Sequence, residues 1–139
     1  MKVVLDTNVL VSGLLTPFGP CGEVVRMLTS GEVVLCVDAR ILLEYDDVLR
    51  RSKFSIASRS VDALMAYIQT ASECHACAPL ATPLPDPDDS PFLEVALSAA
   101  ADCLVTGNAK HFPQRCRGHV SVLSPQLFIE KTRERRTSA

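Results

Sequence analysis

The 139-residue chain is expected to fold as an α/β domain, a three-layer sandwich whose central, mainly parallel, twisted sheet is flanked by helices on both faces. Three observations point there. Residues 2 to 6 and 33 to 37 (Val-Val-Leu-Cys-Val) are short, continuous, Val-rich apolar runs, as a sheet covered on both faces requires. Between them Val24, Val25 and Leu28 recur at helical spacing over 22 to 30, and Gly31 follows as a helix stop. Strands then alternate with helices to the end of the chain, which implies right-handed crossovers.

Each later element has its own signal. Asp38 can cap a helix from Ala39 to about Arg51, with Ile41, Leu42, Tyr45, Val48 and Leu49 as its apolar stripe. A further helix is expected over 60 to 72. The segment 79 to 87 holds Pro79, Pro83, Pro85 and Pro87, so it reads as an extended connection. A helix from about Asp89 to Ala101, a strand at Cys103 to Thr106, a short helical stretch near Lys110 and a strand at Val120 to Leu123 follow, and a last helix begins after Ser124-Pro125. Residues 1–125 are read as the domain proper, and 126–139 as its C-terminal helix and a basic, flexible tail.

Composition narrows the class. Hydrophobic residues are 47% and charged residues 22%, the balance of a folded chain rather than a disordered one. No apolar run approaches the ~20 residues that cross a bilayer, and Met1-Lys2 leads straight into a strand without a secretion signal, so no membrane association and a cytoplasmic address are expected. Six cysteines without secretory context read as thiols. Cys74-His75-Ala76-Cys77 has metal-like spacing, but no second Cys/His pair accompanies it, and zinc is the minor reading. A formal net charge of −2 argues against indiscriminate binding to polyanions, although Arg115 to Ala139 carries six basic residues against two acids.

Three groups of acids do not suit a core. Asp6 closes the first strand, followed by Thr7 and Asn8, where an open parallel sheet presents its ligand face. A strand-end acid that merely caps the next turn is the plain alternative. Glu44 borders the buried stripe of its helix, while Asp46, Asp47, Arg50 and Arg51 take the wet side. Within Asp86-Pro87-Asp88-Asp89-Ser90-Pro91, Asp88 or Ser90 suits the helix N-cap, and Asp89 aims inward by its spacing from Phe92, Leu93 and Ala96. If Asp6, Glu44 and Asp89 converge, each close pair costs about 1 to 4 kcal/mol, and a hard dication, Mg²⁺ or Mn²⁺, is the natural remedy for an all-oxygen set.

The order Asp6-Thr7-Asn8-Val9-Leu10, Glu44, Asp89 with Leu93 and Ala96, Val105-Thr106-Gly107-Asn108 and Lys110-His111-Phe112 resembles the PIN-domain family, notably the ribonuclease toxins of bacterial toxin-antitoxin pairs. The resemblance spans about residues 2 to 125. It implies a central parallel sheet, divalent-metal-dependent endoribonuclease activity on RNA, a homodimer and a cognate antitoxin. Position by position it places Asp6, Glu44 and Asp89 as catalytic, metal-binding acids, with Thr7, Asn8, Thr106 and Asn108 as supporting polar residues. One match fails. Many relatives carry a fourth acid at Asn108, others at His111, and the loss of that charge should weaken metal binding.

Lys53, Lys110 and Arg115 are candidates for RNA phosphates, with ordinary surface basicity as the alternative. His75, His111 and His119 are scattered and are assigned no catalysis. A catalytically weak or silent PIN-like domain that binds RNA or protein is the main rival. An aspartyl-phosphate enzyme is the lesser one, because Asp6-Thr7-Asn8 lacks a second Asp two residues on.

Overall fold

Val3, Val4 and Leu5 are wholly buried, and their strand has a neighbour on each side. The computed structural model describes residues 1–138. In it β1 (Lys2–Leu5), β2 (Val34–Val37), β3 (Glu73–Cys74), β4 (Cys103–Val105) and β5 (Ser121–Leu123) form one sheet in the order β3-β2-β1-β4-β5. Every pairing is parallel, with Val3 opposite Leu35 and Cys103, and Val105 opposite Leu123. The expected α/β class is the observed one.

The helices are α1 (Thr7–Leu15), α2 (Pro20–Thr29), α3 (Ala39–Leu49), α4 (Ser58–Ala71), α5 (Ser90–Ser98) and α6 (Pro125–Ser138). The chain steps from β1 outward to β2 and β3, then returns across the sheet to β4 and β5. Right-handed crossovers therefore put α1 to α4 on one face and α5, which touches β1, β2 and β4, on the other. The reversal falls between β1 and β4. Beyond the carboxyl ends of strands at such a switch point an open sheet leaves a crevice.

One α-helix and one strand were not expected from the sequence. Residues 7 to 15 are a helix, although Thr-Asn-Val-Leu-Val-Ser-Gly-Leu-Leu has weak helix formers and no charge to mark a wet face. Its Val9, Leu10 and Val11 are all buried because α1 packs against both α2 and α3. Tertiary contact supplies what propensity lacks. The close approach of α2 is possible because Gly13 has no side chain, and a Cβ there would collide with Val25 and the Cys21 carbonyl of α2. The other addition is β3, two residues long, too short for any periodicity to reveal.

The helix expected from Asp89 to Ala101 is shorter at both ends. A 3-10 turn, Pro87–Asp89, precedes α5, with Asp86 Oδ1 accepting from the Asp88 N–H at 3.0 Å. At the far end Ala100 takes φ 50°, while Ala100 N–H donates to Leu97 O at 3.2 Å and Ala101 N–H to Ala96 O at 2.9 Å. This is the paired closure common after helices, with alanine where glycine usually stands. Gly31, at φ 83°, closes α2 the same way, as its sequence position suggests.

Among the described residues no helix is long and apolar enough to cross a membrane. All six cysteines are free thiols. The basic residues of α6 are partly spoken for, since Arg133 pairs with Glu23 at 3.3 Å and Arg136 with Glu32.

Candidate active site

Asp6 follows β1 directly and holds the N-cap position of α1, yet its side chain makes no cap bond. It turns instead to the residue just past β4, where Thr106 Oγ1 donates to Asp6 Oδ2 at 2.7 Å. The same hydroxyl oxygen accepts from the Asn108 N–H at 3.0 Å. An N–H on one side of the hydroxyl leaves its single proton directed at the carboxylate, so Asn108 contributes through its backbone. Both partners are buried, Asp6 8% and Thr106 1% exposed, which is why the hydroxyl matters to the acid.

Glu44 reaches the same place from α3. Asp38 caps this helix, its Oδ1 accepting from the Ile41 N–H at 3.0 Å, and sets the phase of the turns that follow. Thr7 Oγ1, in the first turn of α1, donates to Glu44 Oε2. One residue further on, the fully buried Tyr45 donates its hydroxyl to Leu5 O at 2.5 Å, and burial, then the Asp6 and Glu44 charges, push its pKa well up. Tyr45 thus remains a neutral donor.

Asp89 enters from the third direction. It holds the N-cap position of α5 without capping, because Asp86 takes up the backbone one turn earlier, a role expected of Asp88 or Ser90. Its Oδ2 is buried without a hydrogen bond. His111 Nδ1 lies 3.3 Å away, a charge contact outside hydrogen-bond geometry, and is itself half exposed. Burial raises the Asp89 pKa, His111 opposes that, and the Asp6, Asp86 and Glu44 charges add to it.

Asp6, Thr7, Asn8, Glu44, Asp89 and Asn108 all line one cavity of about 260 Å³, whose rim includes Arg51, Lys53 and His111. A hollow of about 580 Å³ also exists, but it lies by Met1, Asp102 and Phe128 at the amino ends of β1 and β4, away from the gathered acids. The chemistry favours the smaller one. Asp88 lines it as well, so four carboxylates share the space, and none of their groupings closes up as tightly as Cys36, Glu73 and His75 do elsewhere in the fold, whose ligand atoms all lie within 4.8 Å of one another. Like charges repel, and Asp6 and Glu44 each lean on a hydroxyl of their own.

The donor set is all oxygen, with a buried, unbonded carboxylate oxygen among it. That fits a hard divalent cation, which keeps some water in its shell and needs only one or two carboxylates in direct contact. Of the three basic candidates, Lys53 lines the cavity. Lys110 and Arg115 lie outside the lining: the 3-10 turn Ala109–His111 brings His111 to Asp89 and leaves Lys110 out, and Arg115 sits in a further 3-10 turn, Gln114–Cys116. Arg51 was assigned to the wet side of α3, and it is at the rim. Arg51 lies past the end of α3 in extended backbone, φ −65° and ψ 130°, so no helical spacing announces that it shares the cavity with Glu44 and Val48. His111, assigned no catalysis from the sequence, stands at one of the positions where the resemblance expects an acid, but its contact with Asp89 arises only on folding.

A family model described as PIN domain matches residues 2–110. The chain belongs to the PIN domain family. Among solved structures it is similar to a chain of VapBC2 from Rickettsia felis, whose crystal structure was determined bound to a DNA fragment from their promoter. The TM-score is 0.57 at 16% identity, with 89% of this chain and 98% of that chain covered, a likeness of fold. No curated protein matches the chain in sequence.

Proposed function

We propose that this PIN domain is a divalent-metal-dependent endoribonuclease, the toxin of a toxin-antitoxin pair acting in the cytoplasm. The observation that carries the reading is one cavity at the sheet's switch point, lined by Asp6, Glu44 and Asp89. Those three acids are the proposed ligands of Mg²⁺ or Mn²⁺. When bound, such an ion polarises a phosphate and lowers the pKa of its water toward neutrality.

The chain's own residues supply the rest. Thr106 and Thr7 hold Asp6 and Glu44 in place, so little reorganisation is needed when charge develops. Asp89 keeps an oxygen free of hydrogen bonds. Arg51 and Lys53 at the rim offer positive charge to phosphates flanking the scissile bond. Asn8 and Asn108 present neutral polar groups to the same space.

Purified Asp6→Asn is expected to lose RNA cleavage in the presence of Mn²⁺. Cleavage as fast as wild type rejects the assignment. The toxin part is supported by the motif order and by the likeness to the VapBC2 structure, and it predicts growth arrest on expression that Asp6→Asn abolishes. A cognate antitoxin and a homodimer belong to the same reading.

Asn108, where relatives carry a fourth acid, favours a second reading, a weakly active or silent domain that binds RNA or a protein. Titration calorimetry separates the two. No Mg²⁺ or Mn²⁺ binding at millimolar concentration, together with intact RNA, selects the silent domain.

A further inference from the structure

Strand register brings three different metal-ligating side chains to one spot on the sheet, and none of them lines the cavity of the proposed nuclease site. Cys36 on β2 is the parallel partner of Glu73 on β3, so both project from the same face. His75 continues the extended edge, its N–H donating to Val37 O at 3.0 Å, and two residues along a strand return to the same face. The Cys36 thiol, a Glu73 carboxylate oxygen and a His75 ring nitrogen all lie within 4.8 Å of one another.

The spacing motif at 74 to 77 is resolved by this alternation. Cys74 pairs with Val37 and so projects from the opposite face, away from His75. Cys77 Sγ is engaged with the His75 carbonyl at 3.6 Å. His75 therefore finds its partners across the strands, in residues 36 and 73, which no linear spacing rule brings together.

We propose that Cys36, Glu73 and His75 form a zinc site at the β2-β3 edge. One thiolate, one imidazole and one carboxylate are the donors that zinc accepts, and three protein ligands leave its fourth position to water. A tetrahedral ion with bonds of about 2.0 to 2.3 Å holds its ligand atoms about 3.5 Å apart, so modest side-chain rotation closes the set. Glu73 and His75 are partly exposed, 40% and 24%, which gives the ion a way in to the buried sulfur. Lys2 Nζ and His75 Nε2 both sit 3.1 Å from the same Glu73 oxygen, so the spot already attracts positive charge. On binding, Cys36 releases its proton to solvent and Lys2, itself exposed, swings away.

Burial and the nearby Glu73 hold the Cys36 thiol up at about 11 without an ion. A bound dication reverses that preference, because its own charge is the largest in the site.

The test is titration of the full-length chain with Co²⁺, then Zn²⁺. Expected is one equivalent of Co²⁺ per chain with thiolate-to-cobalt charge-transfer absorption, bleached by Zn²⁺. Cys36→Ser should abolish the band, and Glu73→Gln and His75→Ala should weaken binding at least about tenfold. Lys2→Gln, which removes the competing ammonium, should tighten it. The double variant Cys74→Ser, Cys77→Ser and the variant Asp6→Asn should both keep the band, which separates this site from the two thiols of the 74 to 77 segment and from the acidic cavity. No band in the wild type, a band that survives Cys36→Ser, or one lost with Cys74 and Cys77 overturns the proposal. If Cys36→Ser fails to fold, the two edge variants decide, and binding indifferent to both overturns it as well.

Discussion

The Tyr45 hydroxyl donates to the Leu5 carbonyl oxygen at 2.5 Å inside the core, tying α3 to the end of β1. Each partner is the chain neighbour of an acid: Leu5 precedes Asp6, and Tyr45 follows Glu44. The distance between two carboxylates that repel is thus held by a neutral bond between the residues beside them. Tyr45→Phe removes the donor and keeps the ring. It is expected to cost about 1 to 3 kcal/mol in denaturant unfolding, with unchanged cooperativity, because a buried acceptor loses its partner. A cost within experimental error would mean that the bond does not fasten the helix.

Asp89 is held with a buried, unbonded oxygen, and burial raises its pKa. For an acid whose folded pKa lies above its unfolded one, the associated stability is full below the unfolded value and is lost as pH rises through the folded value. Stability of the metal-free protein should therefore gain from Asp89→Asn at pH 7, with the gain vanishing below about pH 4, where both states of the wild type carry the proton. Thermal melts of the two proteins across that range, in chelator, measure it. A variant less stable than wild type at pH 7 contradicts the sign.

Arg51 lies at the cavity rim and pairs with Asp47 at 3.1 Å, with both side chains well exposed. Such a pair adds little to folding. Arg51→Gln should leave stability within about 0.5 kcal/mol of wild type. In RNA cleavage it should raise KM several-fold with a smaller effect on kcat, since the charge is assigned to phosphates flanking the reacting one. Equal kinetic constants in low salt would remove Arg51 from the binding surface.

Ala100 sits at φ 50°, a conformation that costs a residue bearing a Cβ about 1 to 2 kcal/mol. Ala100→Gly relieves this and gives back part of the gain through a freer unfolded chain. A net stabilisation of about 0.5 to 1 kcal/mol is expected in urea unfolding. Destabilisation would show that the alanine methyl contributes packing worth more than the strain.

The division between sequence and tertiary structure follows the range of the forces involved. The buried Val-rich strands, the Asp38 cap, the proline-rich connection and the Gly31 stop are local effects, and each was readable from neighbouring residues. The parallel α/β class followed from their alternation. Helix α1 was not readable, because Thr7 to Leu15 is helical through contact with α2 and α3 rather than through its own propensities. Nor was the end of α5, where alanine adopts a backbone form that glycine normally announces.

Asp6, Glu44 and Asp89 could be singled out along the chain as acids ill suited to a core, but adjacency could not. The reversal between β1 and β4 sets Asp6 beside Thr106, a hundred residues away, and Tyr45 brings Glu44 to the same end of the sheet. The contact of His111 with Asp89 and the register of Cys36 with Glu73 arise in the same way. The sequence determined which side chains were available, since propensity and burial act residue by residue. Only the folded chain decided which of them meet, because strand order and crossover direction are properties of the whole sheet.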